Sequence, residues 1–210
     1  MARVNNIIGK ALSGRIGNIV FVNLGGSTYA RTLPRERKPS EWSAEQKKHR
    51  KCFGVVVKYA SSMMVPFIKP IWNKSVTNST SGFNQFVKAN KPAFGKNGTE
   101  NGPGLLRFSI GSLPLPANLN AILSSEQSNI VNVSWKNQIS DLVRNDDHLM
   151  AVFYNAHPLI VPIETGFTRK AEQAKILIHE NPEKEIYLYL FFKSADETLY
   201  SNDQVFKIAM

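Results

Sequence analysis

The tightest grouping of acids with an imidazole in the sequence is Asp146-Asp147-His148. A carboxylate beside an imidazole can bind a metal ion or orient a general base. Adjacent residues in a strand point to opposite faces, however, and consecutive aspartates are typical of turns. We therefore predict a turn at this point, and no catalytic residue, metal ion or cofactor.

Other catalytic patterns are missing from the sequence. His179 has no second histidine four residues away, as a metalloprotease helix requires, and Gly-x-Ser-x-Gly is absent. The glycines between residues 9 and 17 fit neither a phosphate loop nor a dinucleotide fingerprint. The single cysteine, Cys52, allows no intrachain disulfide and is predicted to be a buried thiol. A glycosidase-type carboxylate pair is left open, but overall the sequence favours a protein that is not an enzyme.

Basic charge is the strongest chemical signal. Residues 1–104 contain 17 Lys and Arg, four Glu and no Asp, whereas residues 105–210 contain 9 Lys and Arg against 12 acids. The first half is therefore at +13 and the second at −3, within a chain of net charge +10. A field of one sign attracts polyanions or an acidic protein surface, and the alternative is a solubilising face.

Ten basic residues are the candidates for contact with nucleic acid or a partner: Lys10, Arg15, Arg31, Arg35, Arg37, Lys38, Lys47, Lys48, Arg50 and Lys51. Tyr29 and Trp42 lie among them in the sequence. Such a surface would bind phosphates without sequence preference and would be sensitive to salt. No zinc-finger, helix-turn-helix, RNP or KH signature accompanies the charge.

Three predicted elements position these residues within a first region, 1–72. Asn18–Asn23 and Ser27–Thr32 flank a glycine pair, which predicts a β-hairpin, and an extended basic connector follows. Ser43 with Gln46 forms a capping box ahead of apolar residues at helical spacing. Pro66 and Pro70 are expected to kink or end this helix.

Residues 73–104 have the composition of a linker, rich in Asn, Ser, Thr, Gly and Pro, with one short helical anchor at 82–88. Period-two patterns dominate residues 105–210. They predict strands near 105–111, 129–136, 148–155, 159–163, 172–178, 186–194 and 204–208. The fold class is therefore mainly β: an immunoglobulin- or fibronectin-III-like β-sandwich at 105–210, preceded by the hairpin and the kinked helix.

The strand predicted at 186–194 carries apolar or aromatic side chains on both faces. Ile186, Leu188 and Leu190 alternate with Tyr187 and Tyr189. A strand of this kind is central in its sheet, with its second face covered by something outside the sandwich. We expect the cover to be the kinked helix or a partner chain.

Several segments together resemble an uncharacterised family from Bacteroidota and their phages. They are, in this order along the chain, Gly14–Val20, Tyr29–Pro34, Lys38–Ser40, Gln46 and Arg50 ahead of Phe53, Phe83–Val87, Ser109–Pro114 and Val133–Trp135. Ser40 stands where the family usually has threonine. The family has no assigned activity, so the resemblance carries over no functional residue.

The split charge, the long polar segment and this resemblance predict a non-enzymatic structural protein of a phage or prophage particle. Its partners would be copies of itself, other virion proteins or nucleic acid. One alternative is a cytosolic nucleic-acid-binding protein, and another is a ligand- or carbohydrate-binding module that uses Trp135, Tyr187 and Tyr189. The chain shows neither a secretory signal nor an apolar run long enough for a bilayer, so we expect it in a virion or the bacterial cytoplasm.

Overall fold

The computed structural model describes residues 2–4, 13–24, 27–36, 38–75, 80–95, 98–127, 129–138, 140–154, 160–178 and 185–208. Lys10 and Arg37 of the basic set, His179 and the glycine pair of the hairpin lie outside the described residues. Within the described ranges the protein is mainly β, with three antiparallel sheets, two α-helices and one π-helical segment.

The first sheet lies near the N-terminus and contains β1 (Ala2–Val4), β2 (Gly14–Ile16), β3 (Ile19–Leu24) and β4 (Ser27–Thr32). Its strand order is β1-β4-β3-β2. The predicted hairpin is confirmed as β3 and β4, which pair antiparallel with Phe21 opposite Ala30. We call these four strands the N-terminal sheet.

Helix α1 (Ala44–Ser62) begins at the predicted capping box. The Gln46 amide donates to Ser43 Oγ at 3.2 Å, and the Ser43 amide donates to Gln46 Oε1 at 3.0 Å. A π-helical segment, Met64–Trp72, follows at an angle of 82°. The predicted kink is thus confirmed. Its cause lies in Pro66 and Pro70, which cannot donate backbone hydrogen bonds.

The predicted helical anchor in the polar segment is also confirmed, as α2 (Gly82–Asn90), with Ser81 as its N-cap. Short 3₁₀ turns lie at Pro39–Glu41, Lys91–Ala93, Pro103–Leu105 and Arg169–Ala171. Among the described residues, no single helix combines the length and apolar composition needed to cross a membrane. The bent pair of α1 and the π-helical segment meets that test only jointly.

Seven strands follow: β5 (Ala117–Leu123), β6 (Ile130–Lys136), β7 (His148–Tyr154), β8 (Ile163–Thr168), β9 (Gln173–Leu177), β10 (Ile186–Lys193) and β11 (Gln204–Ile208). They form a sheet of order β5-β6-β9 and a sheet of order β11-β10-β7-β8. Both sheets contribute side chains to one core, in which the Trp135 and Phe192 rings lie 5.6 Å apart. We call this pair of sheets the two-sheet unit.

Two strand predictions are wrong. The predicted strand at 105–111 is absent: Leu105 ends a 3₁₀ turn, and 106–111 is an extended segment in which Leu106 and Phe108 are buried. The first strand of the unit is instead β5, whose pattern is interrupted by Asn118 at φ 55° and a register shift against β6. Strand β8 also begins later than the predicted 159–163.

The second face of β10 packs against the helices. Tyr189 and Phe191 of β10 share a core with Phe67 and Trp72 of the π-helical segment and Phe86 of α2. Trp72 donates its indole N–H to the Phe108 carbonyl at 2.9 Å, which holds the extended segment against the helices. The predicted cover of β10 by the kinked helix is therefore confirmed. The division of the chain at residues 72 and 104 stays a prediction.

Candidate binding surface

Two adjoining cavities lie along the first turns of α1. One of ≈ 490 Å³ is lined by Arg35, Trp42, Glu45, Gln46, His49 and Arg50. The other, of ≈ 360 Å³, is lined by Glu45, Lys48, His49, Cys52, Lys91, Pro92 and Phe94. Both include Glu45 and His49, so they lie side by side along α1, and we call the two together the α1 groove.

Helix geometry places Trp42 and Arg50 together in this groove. Trp42 directly precedes the capping residue Ser43, and Arg50 lies on the second turn of α1. The Arg50 guanidinium carbon is 3.8 Å from the centroid of the Trp42 ring, within the range of a cation–π contact. The pair presents a flat aromatic surface next to a fixed positive charge.

The charges of the α1 groove are mostly unneutralised. Lys48 pairs with Glu45 at 3.2 Å, and Lys91 Nζ lies 3.3 Å from His49 Nε2. In the described part of the chain, no carboxylate lies within ion-pair distance of Arg35, Arg50 or Lys91. The groove is therefore suited to an anionic ligand.

The N-terminal sheet carries a second group of basic residues. Arg15 and Arg31 lie on either side of Val20 in the register, so the three side chains share one face of the sheet with Tyr29. The opposite face carries apolar residues, of which Ile16 is 62% exposed. Neither hydrophobic core contains a described residue of this sheet.

The structure thus divides the predicted basic set. Arg35, Lys48 and Arg50 line the α1 groove, and Arg15 and Arg31 lie on the N-terminal sheet. Lys38, Lys47 and Lys51 are exposed and line neither cavity of the groove, while Lys10 and Arg37 lie outside the described residues.

Sequence reasoning missed the far wall of the groove. Lys91 and Phe94 reach α1 only because α2 packs against it, across 42 residues between Lys91 and His49. The Lys91-Pro92 pair carries no local signal of this contact. Cys52, predicted to be buried, is confirmed as such, and its Sγ lies 3.8 Å from the Phe94 carbonyl oxygen.

The acid–imidazole grouping has a structural explanation. A turn precedes Asp147, as predicted, but Asp147 itself is buried and its Oδ2 accepts from Arg169 Nε at 3.1 Å. Arg169 also donates to the Pro114 carbonyl at 2.8 Å and lies over the Phe192 ring. His148 points elsewhere and pairs with Glu164 at 2.9 Å. Among the described residues, no three His, Cys, Asp or Glu side chains are grouped to hold a metal ion.

One further cavity, of ≈ 370 Å³, lies beside Trp72, Arg107 and Asp203. Burial raises the pKa of Asp203 to about 6, although its Oδ2 accepts from the Phe108 amide at 2.8 Å. Its Oδ1 lies 3.7 Å from Arg107 Nη1. Asp203 thus joins the extended segment to the start of β11, and we assign it a structural role.

The chain matches no protein-family model and no curated protein. The resemblance to a family of Bacteroidota and their phages therefore stays a prediction. Function has to be inferred from the geometry of the molecule.

Proposed function

We propose that this chain is a non-enzymatic structural or assembly protein, a component of a phage or prophage particle. In this proposal the helices and the two-sheet unit form a rigid body. The basic N-terminal half contacts neighbouring subunits or nucleic acid. The assignment to a particle depends on the sequence resemblance and on the split charge.

The observation that carries the proposal is the exposed N-terminal sheet. Ile16 is 62% exposed and Ile19 is 46% exposed, and the register places them opposite each other on β2 and β3. Arg15 and Arg31 lie on the other face. Apolar and arginine side chains are enriched together in protein interfaces, and exposed apolar patches often mark such sites.

The proposal includes a finer description of the two-sheet unit as an immunoglobulin- or fibronectin-III-like sandwich. The strand orders β5-β6-β9 and β11-β10-β7-β8 support this description, since domains of that class divide seven strands between two antiparallel sheets of three and four strands. The buried Trp135 lies on the second strand, whereas antibody domains carry their tryptophan on the third. Fold alone does not fix function, and modules of this class often serve as building blocks.

The test is the mass of the full chain in solution across a salt series, compared with that of the double variant Arg15→Glu/Arg31→Glu. We expect concentration-dependent oligomers that the double variant loses, because it reverses the charge of the sheet face. Lys58→Glu/Lys69→Glu is the matched control, since it makes the same change in net charge at two exposed lysines that line neither cavity of the groove. A wild-type chain that stays monomeric at all concentrations contradicts assembly through copies of itself.

The two alternative functions, nucleic-acid binding outside a particle and ligand or carbohydrate binding, have unequal support. A nucleic-acid-binding protein acting outside a particle would use the same basic surfaces, and the same salt series with added nucleic acid separates it from the main proposal. The ligand- or carbohydrate-binding module has less support, because two of its three proposed residues are buried: Trp135 is 5% exposed and Tyr189 is fully buried, whereas Tyr187 is partly exposed.

A further inference from the structure

We infer that the α1 groove binds unpaired nucleotides of a single-stranded nucleic acid, with a base stacked at Trp42 and phosphates held by Arg35, Arg50 and Lys91. The inference rests on the proposed function in one respect: both take the basic N-terminal half of the chain as the contact surface. It goes further by naming which ligand this groove takes and which side chains select it.

The α1 groove contains an aromatic surface. Trp42 is partly exposed at the edge of the larger cavity, and the Arg50 guanidinium already lies 3.8 Å from its ring centroid. Unpaired bases stack on aromatic rings and on arginine planes, and this contact is independent of sequence. A duplex hides its base faces within the stack, and an acidic peptide has none. The aromatic part of the groove therefore favours single strands over both.

Three cations line the α1 groove. Arg35 and Arg50 line the cavity that contains Trp42, and Lys91 lines the adjoining one. The three cations are thus distributed over two neighbouring cavities rather than gathered at one point. This suits a ligand whose phosphates repeat along a chain. Among the residues that the structure describes, Glu45 is the only acid that lines either cavity, and it is already paired with Lys48.

The volumes of the two cavities match the size of nucleotides. Cavities of about 300–1,000 Å³ accommodate small organic ligands, and the part beside Trp42 measures ≈ 490 Å³. That volume suits one nucleotide, and the adjoining ≈ 360 Å³ suits a second. Arg35 lies three residues beyond the end of β4, which links the groove to the basic face of the N-terminal sheet.

The test measures binding of the full chain to oligo(dT), oligo(U), a DNA duplex of equal length and polyglutamate at one fixed salt concentration. Trp72 and Trp135 are buried, so quenching of tryptophan fluorescence reports on Trp42. We expect oligo(dT) or oligo(U) to quench this fluorescence and to bind more tightly than the duplex or polyglutamate. Preference between oligo(dT) and oligo(U) shows whether the natural strand is DNA or RNA.

Variants identify the side chains responsible, and their affinities are measured by fluorescence anisotropy of a labelled ligand, because replacing Trp42 removes the reporting ring. Trp42→Ala is expected to weaken single-strand binding roughly tenfold while leaving polyglutamate binding unchanged, and Trp42→Phe should restore most of the loss. Arg50→Glu should weaken binding much more than Lys47→Glu, which makes the same charge change on the same helix outside the groove. All three positions are at the surface or partly exposed, so the fold should tolerate the substitutions.

The inference is overturned if Trp42→Ala binds single strands as wild type does. It is equally overturned if the duplex or polyglutamate binds as tightly as oligo(dT) and oligo(U). Either result leaves the proposed assembly function standing if the Arg15→Glu/Arg31→Glu oligomer test succeeds. Conversely, a monomeric chain with binding that depends on Trp42 supports the groove and contradicts assembly through copies of itself.

Discussion

Strands β3 and β10 have similar side chains and opposite surroundings. Both are rich in β-branched, aromatic or other apolar residues, yet Ile19 and Val22 of β3 are exposed while β10 is buried on both faces except for a partly exposed Tyr187. The difference lies in what covers each sheet. The helices cover one face of β10 and the second sheet covers the other, whereas no described residue of the N-terminal sheet joins a core.

This contrast separates the part of the molecule that is stabilised by buried side chains from the part whose apolar side chains are exposed. A small sheet without a hydrophobic cover is only marginally stable in water. The N-terminal sheet therefore depends largely on backbone pairing, and in the proposed function a partner that covers it would stabilise it. Both hydrophobic cores lie among the helices and the two-sheet unit. The buried cores and the proposed contact surfaces thus occupy different parts of the chain.

The largest expected effect comes from comparing Phe191→Ala in β10 with Phe21→Ala in β3. Phe191 is fully buried between β10 and the helices, so its removal should lower the free energy of unfolding by about 3–5 kcal/mol. Phe21 is only partly buried, so Phe21→Ala should lower the free energy of unfolding by about 1 kcal/mol or less. Urea denaturation of the two variants measures both values. Similar losses would mean that the N-terminal sheet has a cover comparable to that of β10.

A smaller effect is expected from pH and Asp203. Burial raises the pKa of this carboxyl to about 6, so between pH 4 and pH 6 the folded state holds a proton that the unfolded chain releases. This contribution to stability is complete below pH 4 and is lost as pH rises through 6, an effect of up to about 3 kcal/mol.

Asp203→Asn isolates this contribution, because asparagine can still accept from the Phe108 amide. The variant should match wild type near pH 4 and exceed it in stability at pH 7, as measured by denaturation at each pH. If the two proteins keep the same difference at every pH, Asp203 does not titrate in this window. Asp203 lies outside the α1 groove, so the substitution should leave the groove unchanged.

The smallest effect is expected at the N-cap of α1, next to the α1 groove. Ser43→Ala removes the side chain that accepts from the Gln46 amide and should cost about 1 kcal/mol. Thermal unfolding measures this loss, and Ser43→Asp, which keeps an N-cap acceptor, is the control. If both variants are as stable as wild type, the cap contributes nothing that the rest of the helix cannot supply.

Local patterns in the sequence determined much of the fold. The hairpin β3–β4, the capping box at Ser43 and the kink at Pro66 and Pro70 each depend on residues within a few positions of one another. The two apolar faces of β10 also predicted a covering element, because alternate side chains in a strand point to opposite sides. Strand β5 escaped prediction because Asn118 and a register shift interrupt its alternation.

Tertiary structure alone decided the surfaces. Lys91 meets His49 across 42 residues, and Asp147 meets Arg169 across 22, since packing of α2 on α1 and of strands in the two-sheet unit brings them together. The sequence by itself determined that the first half of the chain is basic and contains a hairpin and a kinked helix. Which of those basic residues share a groove depended on long-range packing, because side chains far apart in sequence become neighbours only when the cores close.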